Sequence, residues 1–193
     1  MRNPSFHLPG PRRANGGFTL IELLVVLALA GIFLWVAVPS FVAVFESNHR
    51  NTIGNRLMED LAEARLQAIA ISSPMALCPS DAANPDTCLN ASAWNNGWYV
   101  YVGNSETING TDAVLRAPQP LPTGWVVDAS LPSPGTYLSL SPRSETSQFG
   151  HFTIYRSGYS TTAGCVIVSS TGRARFSTAK VNSGVVSANN DPC

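Results

Sequence analysis

The chain has 193 residues, with 12 basic and 12 acidic side chains and therefore a formal net charge of zero. This balance excludes a protein whose overall charge attracts polyanions, so any anion-binding surface must be a local one. The length accommodates one long helix and one modest globular domain.

The N-terminal part of the chain joins a basic leader to an apolar segment. Three arginines precede position 17, and the apolar run 18–38 contains one charged residue, Glu22. A carboxylate within hydrocarbon costs roughly 2.5 to 3.5 kcal/mol, so it normally marks a site with a partner, here an amine. The pattern predicts a cleavable leader at 1–17 and a transmembrane or filament-core helix at 18–39.

Two other interpretations fit the same apolar run. Its length is close to the roughly 20 residues that a bilayer crossing needs, so an ordinary single-pass anchor would look similar. The small residues Ala28-Leu29-Ala30 before Gly31 also fit a general secretory cleavage site. Neither interpretation explains Glu22, and the second leaves an apolar remnant at 32–36.

An amphipathic helix is predicted to continue over 40–73. Apolar residues recur there at steps of three and four, which places them on one helical stripe. The stripe consists of Ile53, Leu57, Leu61, Ala64, Ala68 and Ile71, and the opposite face carries Arg56, Glu59, Asp60, Glu63 and Arg65. Ser72-Ser73-Pro74 ends the pattern, because proline disfavours the helical conformation in its predecessor. Pro39 indicates a kink or local melting point, or else a simple bend.

The remainder of the chain, 74–193, is predicted to form a β-rich globular domain that covers the outer half of the helix. Short runs rich in aromatic and β-branched residues alternate there with turn residues. The predicted strands are Trp98–Val102, Val114–Ala117, Trp125–Asp128, Tyr137–Ser141, His151–Tyr155, Cys165–Ser169 and Arg173–Ser177. The fold class is therefore α+β, with antiparallel strands packed against one long N-terminal helix.

Four cysteines follow the apolar segment: Cys78, Cys88, Cys165 and Cys193. An even number in an exported domain favours disulfides, and three pairings are possible. Cys78 and Cys88 enclose the shortest loop and close most easily, which leaves Cys165 for Cys193. The two other pairings stay open. A zinc site is the competing interpretation, but no Cys-x-x-Cys spacing supports it.

No arrangement of residues in the sequence indicates catalysis. His7 falls in the leader, His49 in the helix and His151 in a strand, and none has a nucleophile and an orienting acid at a recognisable spacing. We therefore expect a binding and assembly protein without cofactor or metal, not an enzyme.

The hexapeptide from Gly17 to Glu22, with the basic leader and the long helix, resembles the class III signal of type IV pilins and type II secretion pseudopilins. The resemblance implies that a prepilin peptidase cleaves between Gly17 and Phe18 and methylates the new amino terminus. It also implies that Glu22 neutralises the terminal amine of the preceding subunit during assembly. The expected partners are thus other pilins, the peptidase and, before assembly, the inner membrane.

The region around the first two cysteines indicates one particular family among these pilins and pseudopilins. Ala76-Leu77-Cys78-Pro79-Ser80, followed by Cys88, Trp94 and Gly97-Trp98-Tyr99-Val100-Tyr101, resembles the minor pilins and pseudopilins of the GspH/FimT family. That family carries a cysteine-bridged loop followed by a Gly-Trp strand. The fold implied is pilin-like, with an antiparallel β-sandwich of short strands on the helix.

The last predicted hairpin carries two arginines, Arg173 and Arg175, at positions i and i+2. On one strand, such residues point to the same face about 6.8 Å apart, an arrangement suited to phosphates. Gly172-Arg173-x-Arg175 also resembles the DNA-binding motif of the FimT minor pilins. Basic residues exceed acidic ones from Arg143 onward, which adds Arg143, Arg156 and Lys180 to the expected DNA site. The competing interpretation is a solvated strand that blocks edge-to-edge aggregation.

Together these features predict a minor type IV pilin that reaches the cell surface and binds DNA through backbone contacts for uptake in natural transformation. Its globular domain is expected in the periplasm or outside the cell, after an inner-membrane stage. The alternative is a minor pseudopilin of a type II secretion system, with a structural or cargo-contacting role. Such a subunit would share the fold, Glu22 and the processing site.

Overall fold

The computed structural model of the chain describes residues 17–80, 88, 94–105, 108, 113–132, 136–143, 149–158, 161–180 and 193. The chain divides into two units, Met1–Ala43 and Val44–Cys193. Most of the predicted leader, 1–16, lies outside the described residues.

Helix α1, Leu20–Ile71, begins with a side-chain cap. The hydroxyl of Thr19 accepts a hydrogen bond from the backbone N–H of Glu22 at 3.3 Å, and the N–H of Leu23 donates to the Thr19 carbonyl at 3.2 Å. A threonine followed three residues later by a glutamate is the capping-box pattern, which satisfies N–H groups left open in the first helical turn. The Thr19 hydroxyl therefore caps the start of the helix.

The helix continues unbroken through Pro39 and ends where the sequence predicts. Ser72 adopts a φ of 54°, and the N–H of Ser73 donates to the carbonyl of Ala68 at 3.2 Å. A residue with positive φ after the last helical turn is a common way to close a helix C-terminus. Pro74 then follows outside the helix.

The part of helix α1 in the first unit exposes its apolar side chains. Every large apolar side chain from Phe18 to Trp35 is at least 50% exposed. Across the described residues, no helix combines the length and the apolar character that a membrane crossing requires.

The helical stripe predicted in the second unit is buried over most of its length. Its buried members are Ile53, Leu57, Leu61, Ala64 and Ala68. Ile71, the last residue of helix α1, differs from the prediction and is 46% exposed. The stripe thus ends one turn before the helix does.

Within the described residues, eight strands follow the helix: β1 Met75–Pro79, β2 Trp98–Val102, β3 Val114–Arg116, β4 Trp125–Ser130, β5 Leu138–Leu140, β6 Gly150–Arg156, β7 Thr162–Val168 and β8 Ala174–Lys180. All seven predicted strands are present, six of them with ends shifted by one to three residues. Strand β1 is not predicted from the sequence. All five of its residues are buried, so the strand lacks the alternation of apolar and polar residues that marks a half-buried strand.

The strands form two antiparallel four-stranded sheets, one in the order β3-β2-β1-β5 and the other in the order β4-β6-β7-β8. One core cluster joins helix α1 to both sheets and includes Leu57 from the helix, Trp98 from the first sheet and Phe152 from the second. The ring of Trp94, which precedes β2, contacts that of Phe152 edge-on with centroids 4.8 Å apart. This arrangement confirms the predicted α+β, pilin-like fold.

Two glycines allow the second sheet to approach helix α1 closely. A Cβ atom on Gly54 of the helix would overlap the ring of Phe176 in β8. A Cβ on Gly164 of β7 would lie 2.9 Å from the same ring and 2.9 Å from Cγ of Arg50. Phe176 therefore lies in a slot that is open only because both positions lack a side chain.

The buried carboxylate of Asp60 links helix α1 to the first sheet. Asp60, fully buried, accepts a hydrogen bond from the indole N–H of Trp98 at 2.7 Å and pairs with Arg116 Nε at 2.8 Å. Arg116 also pairs with Glu63, and the guanidinium of Arg56 stacks over the Trp98 ring at 4.6 Å. Burial raises the pKa of Asp60, while the Trp98 hydrogen bond and the charge of Arg116 act in the opposite direction.

Candidate nucleic-acid interface

The turn between β7 and β8 is held by a compact set of hydrogen bonds. The N–H of Gly172 donates to the Ser169 carbonyl at 2.8 Å, and the N–H of Ser169 donates to the Arg173 carbonyl at 3.0 Å. The hydroxyl of Ser169 also accepts the N–H of Arg173 at 3.2 Å. Gly172 has a φ of 67°, a conformation that glycine adopts without strain. The turn thus fixes the backbone on which Arg173 is presented.

The two arginines of the predicted motif differ in their local structure. Because β8 begins at Ala174, Arg173 belongs to the turn and only Arg175 lies in the strand. Ala174 and Phe176 pack against the core, so Arg175 alternates with them and lies opposite Ile167 of β7. The expected side-by-side pair on a single strand is therefore replaced by one arginine in the turn and one in the adjoining strand.

Both arginines are available to a ligand. Their side chains are exposed, and neither guanidinium has a hydrogen-bond or ion-pair partner among the described residues. Strand β8 lies at the edge of its sheet, and Arg175 is among the residues that line the space beside helix α1.

A groove of about 1090 Å³ separates the β7–β8 turn from helix α1. Its lining consists of Asn55, Met58, Glu59, Leu61, Ala62, Arg65 and Leu66 from the helix, and of Ser169, Gly172, Arg173, Ala174 and Arg175 from the hairpin. The lining contains three arginines and one glutamate, and the rest of it is largely apolar. The groove is therefore a locally basic surface on a chain of zero formal net charge.

The helical wall of this groove is not predicted by the sequence pattern. In that pattern Arg65 belongs to the polar face of the helix. Its position opposite Arg173 and Arg175 depends on the packing of β8 against helix α1 through Phe176 and Gly54, which is a tertiary contact. No local sequence pattern carries that information.

Three other basic residues of the expected DNA site are not among the residues that line the groove. Lys180 ends β8 opposite Thr162, at the far end of the strand from the turn, about 20 Å away at roughly 3.3 Å per residue. Arg156 ends β6 opposite Trp125, at the same far end of the sheet. Arg143 follows β5 in the first sheet. The structure therefore separates Arg156 and Lys180 from the hairpin arginines by the length of the second sheet.

The predicted processing site lies ahead of the helix. Gly17 and Phe18 precede the first helical residue, Leu20, and both are exposed, Phe18 by 83%. Glu22 is also exposed on the first helical turn. The peptide bond between Gly17 and Phe18 is thus outside regular secondary structure.

Two disulfides link the four cysteines, one between Cys78 and Cys88 and one between Cys165 and Cys193. This is the pairing that the loop lengths favour. Cys165 lies in β7 and joins the last residue of the chain to the second sheet. Within the described part of the chain, no group of three or more histidine, cysteine or acidic residues is placed to hold a metal ion.

A helix that begins with an N-terminal processing motif and packs on two antiparallel sheets defines the class of pilin-like subunits. Residues 12–38 match the profile described as the prokaryotic N-terminal methylation motif, and residues 54–172 match the profile described as type II transport protein GspH. The second match covers more than half of the chain. The chain therefore belongs to the GspH family, whose members are minor pilins and pseudopilins.

Solved structures support the fold. The chain is similar to the type IV minor pilin FimU of Pseudomonas aeruginosa, with 17% sequence identity and a TM-score of 0.53 over 68% of this chain and 90% of that chain. A second crystal form of FimU gives 16% identity and a TM-score of 0.49, with 66% and 91% covered. No curated protein sequence matches the chain significantly. Family membership implies processing by a prepilin peptidase and association with other pilins.

Proposed function

We propose that this protein is a minor type IV pilin that binds extracellular DNA through the β7–β8 turn. After cleavage between Gly17 and Phe18 at the inner membrane, the exposed apolar half of helix α1 packs among other pilins in the filament. The globular unit then presents Arg173 and Arg175 at the cell surface. DNA binding in this position serves uptake during natural transformation.

The observation that supports this proposal is a pair of exposed guanidinium groups beside a tight glycine turn, neither of which has a hydrogen-bond or ion-pair partner among the described residues. Each side chain is free to donate to phosphate oxygens, and the turn fixes the backbone of Arg173 in advance. Gly172, Arg173 and Arg175 are therefore the proposed DNA-binding residues. Contacts of this kind position the nucleic-acid backbone without reading bases, so little sequence preference is expected.

Glu22 has a proposed role in assembly. Its exposed carboxylate on the first helical turn pairs with the amino terminus of a neighbouring subunit once both are removed from water. This role does not depend on DNA binding.

The test uses the full-length processed protein in detergent and a fluorescently labelled duplex of arbitrary sequence. Two phosphate contacts predict a salt slope near −1.8, or roughly a 12-fold loss of affinity between about 50 and 200 mM salt. Replacing Arg173 or Arg175 by alanine should lower the slope by about 0.9 each, and the double variant should lose most binding. Lys180→Ala, at the far end of β8 from the turn, is the control and should bind like wild type. Absence of binding by wild type at low salt would refute the proposal.

The second candidate is a minor pseudopilin of a type II secretion system. The description of the matched profile favours it, and the match ends at Gly172, just before the arginine pair. A pseudopilin would contact partner subunits or cargo through the same globular unit. Loss of protein secretion on deletion, with DNA uptake unchanged, would support this candidate over DNA binding.

A further inference from the structure

Arg65 is a charged side chain of helix α1 whose helical neighbours are apolar. On a helix, residues three and four positions away are its neighbours. For Arg65 these are Leu61, Ala62, Ala68 and Ile69, all of them apolar. Among the described residues Arg65 has no hydrogen bond or ion pair, and its side chain is only partly exposed.

The groove places Arg65 on the wall opposite Arg173 and Arg175. Three like charges around one groove repel one another, and Glu59 is the single acid among its lining residues. Glu59 also contributes, as the smallest of several causes, to the raised pKa of Arg116 in the first sheet. The groove therefore has an excess of positive charge that an anionic ligand would balance.

We propose that Arg65 is a third phosphate contact and that a segment of DNA backbone lies in the groove, between helix α1 and the hairpin. This inference rests on the proposed function and extends the binding surface from the turn to the helix. Arg65 and the hairpin arginines contact the backbone from opposite sides. Helix α1 and β8 are packed together through Phe176, so the two walls are already in place before binding.

The number of charges distinguishes this arrangement from binding by the turn alone. Three phosphate contacts predict a salt slope near −2.7 for wild type, or roughly a 40-fold loss of affinity between about 50 and 200 mM salt. Binding by the turn alone predicts roughly a 12-fold loss over the same range. The wild-type slope therefore gives a first measure of the number of contacts.

The decisive variants are Arg65→Ala and Glu59→Gln in the full-length protein in detergent, titrated with the labelled duplex. Arg65→Ala should weaken binding roughly five- to tenfold near 0.1 M salt and bring the slope to about −1.8. Arg65→Lys keeps the charge and should retain the wild-type slope. Glu59→Gln removes the one acid of the groove and should strengthen binding, a gain that unfolding cannot produce.

Each outcome separates this inference from the function on which it rests. If Arg173→Ala and Arg175→Ala weaken binding while Arg65→Ala and Glu59→Gln match wild type, the turn acts alone and the inference is wrong. The DNA-binding function would then stand. If wild type fails to bind DNA at low salt, the proposed function fails, and Arg65 has no role of this kind.

Discussion

Gly54 of helix α1 and Phe176 of β8 face each other at the contact that holds the hairpin against the helix. The ring fills the space that a side chain at position 54 would occupy. Gly164 of β7 likewise leaves space for the ring. The position of the β7–β8 turn, and with it the width of the groove, depends on this contact.

Gly54→Ala should therefore destabilise the protein, although alanine favours a helix by about 1 kcal/mol over glycine. The new methyl group would overlap the Phe176 ring, and overpacking of this kind costs about 1–3 kcal/mol. Displacement of β8 should weaken DNA binding in the same variant. Thermal unfolding and duplex titration measure the two effects. The double variant Gly54→Ala with Phe176→Leu should recover both, and a failure to recover would contradict the steric explanation.

Asp60→Ala should cost about 1–3 kcal/mol, because it leaves the buried indole N–H of Trp98 without an acceptor. The lost ion pair between Asp60 and Arg116 should contribute less to this cost, because Arg116 is 39% exposed and keeps its ion pair with Glu63. Glu63→Gln is the matched control at the exposed end of the same network and should cost less than about 1 kcal/mol. Equal costs for the two variants, in denaturant unfolding, would show that the Trp98 hydrogen bond does not dominate.

Lys180→Ala and Arg156→Ala should leave DNA affinity and salt slope unchanged, because both residues lie at the end of the second sheet remote from the turn. The measurement is the same duplex titration, with Arg173→Ala as the positive control. A fall in slope of about 0.9 for either variant would mean that DNA contacts the whole length of the sheet.

Glu22→Gln should separate helix capping from the role proposed for Glu22 in assembly. The substitution keeps the backbone N–H that donates to the Thr19 hydroxyl, and glutamine also fits the capping-box pattern, so the helix should begin normally. It removes the charge that pairs with the neighbouring amine, so incorporation into pili should be lost. Mass spectrometry should show normal cleavage between Gly17 and Phe18, and immunoblots of sheared pili should lack the variant. Wild-type incorporation would contradict the proposed pairing of the Glu22 carboxylate with the amine.

Removal of the Cys165–Cys193 disulfide should destabilise the protein by about 3–4 kcal/mol, and removal of Cys78–Cys88 by about 1 kcal/mol less. The difference follows from the sequence separations of 28 and 10 residues, since a longer loop restricts the unfolded chain more. Paired cysteine-to-alanine variants compared by denaturant unfolding provide the measurement. A reversed order would show that strain or residual structure outweighs loop entropy.

Much of the fold could be predicted from local patterns. The spacing of Leu57, Leu61 and Ala64 identified the buried face of helix α1, and aromatic or β-branched runs identified seven strands. Strand β1 was missed because all of its residues are buried and no alternation remains to be read. Pro79 also makes β1 difficult to recognise from the sequence, because proline is uncommon in a strand that is paired on both sides.

The candidate site was only partly predictable, because strand register decides which residues meet. Arg173 and Arg175 are close in sequence, so their association needs no knowledge of the fold. Lys180 is only five residues from Arg175 along the chain. The extended strand nevertheless places it at the other end of the sheet. Arg65 is distant in sequence and enters the groove only through helix–sheet packing.

The location of β8 at the border of the second sheet has a further consequence for the hairpin arginines. A border strand offers free backbone groups to any other chain, and charged side chains commonly prevent such pairing. Arg175 and Lys180 are well placed for that protection. Mutations that tune ligand affinity at Arg175 would then also change the tendency of the protein to self-associate through β8, so colloidal stability and DNA capture are coupled in one strand.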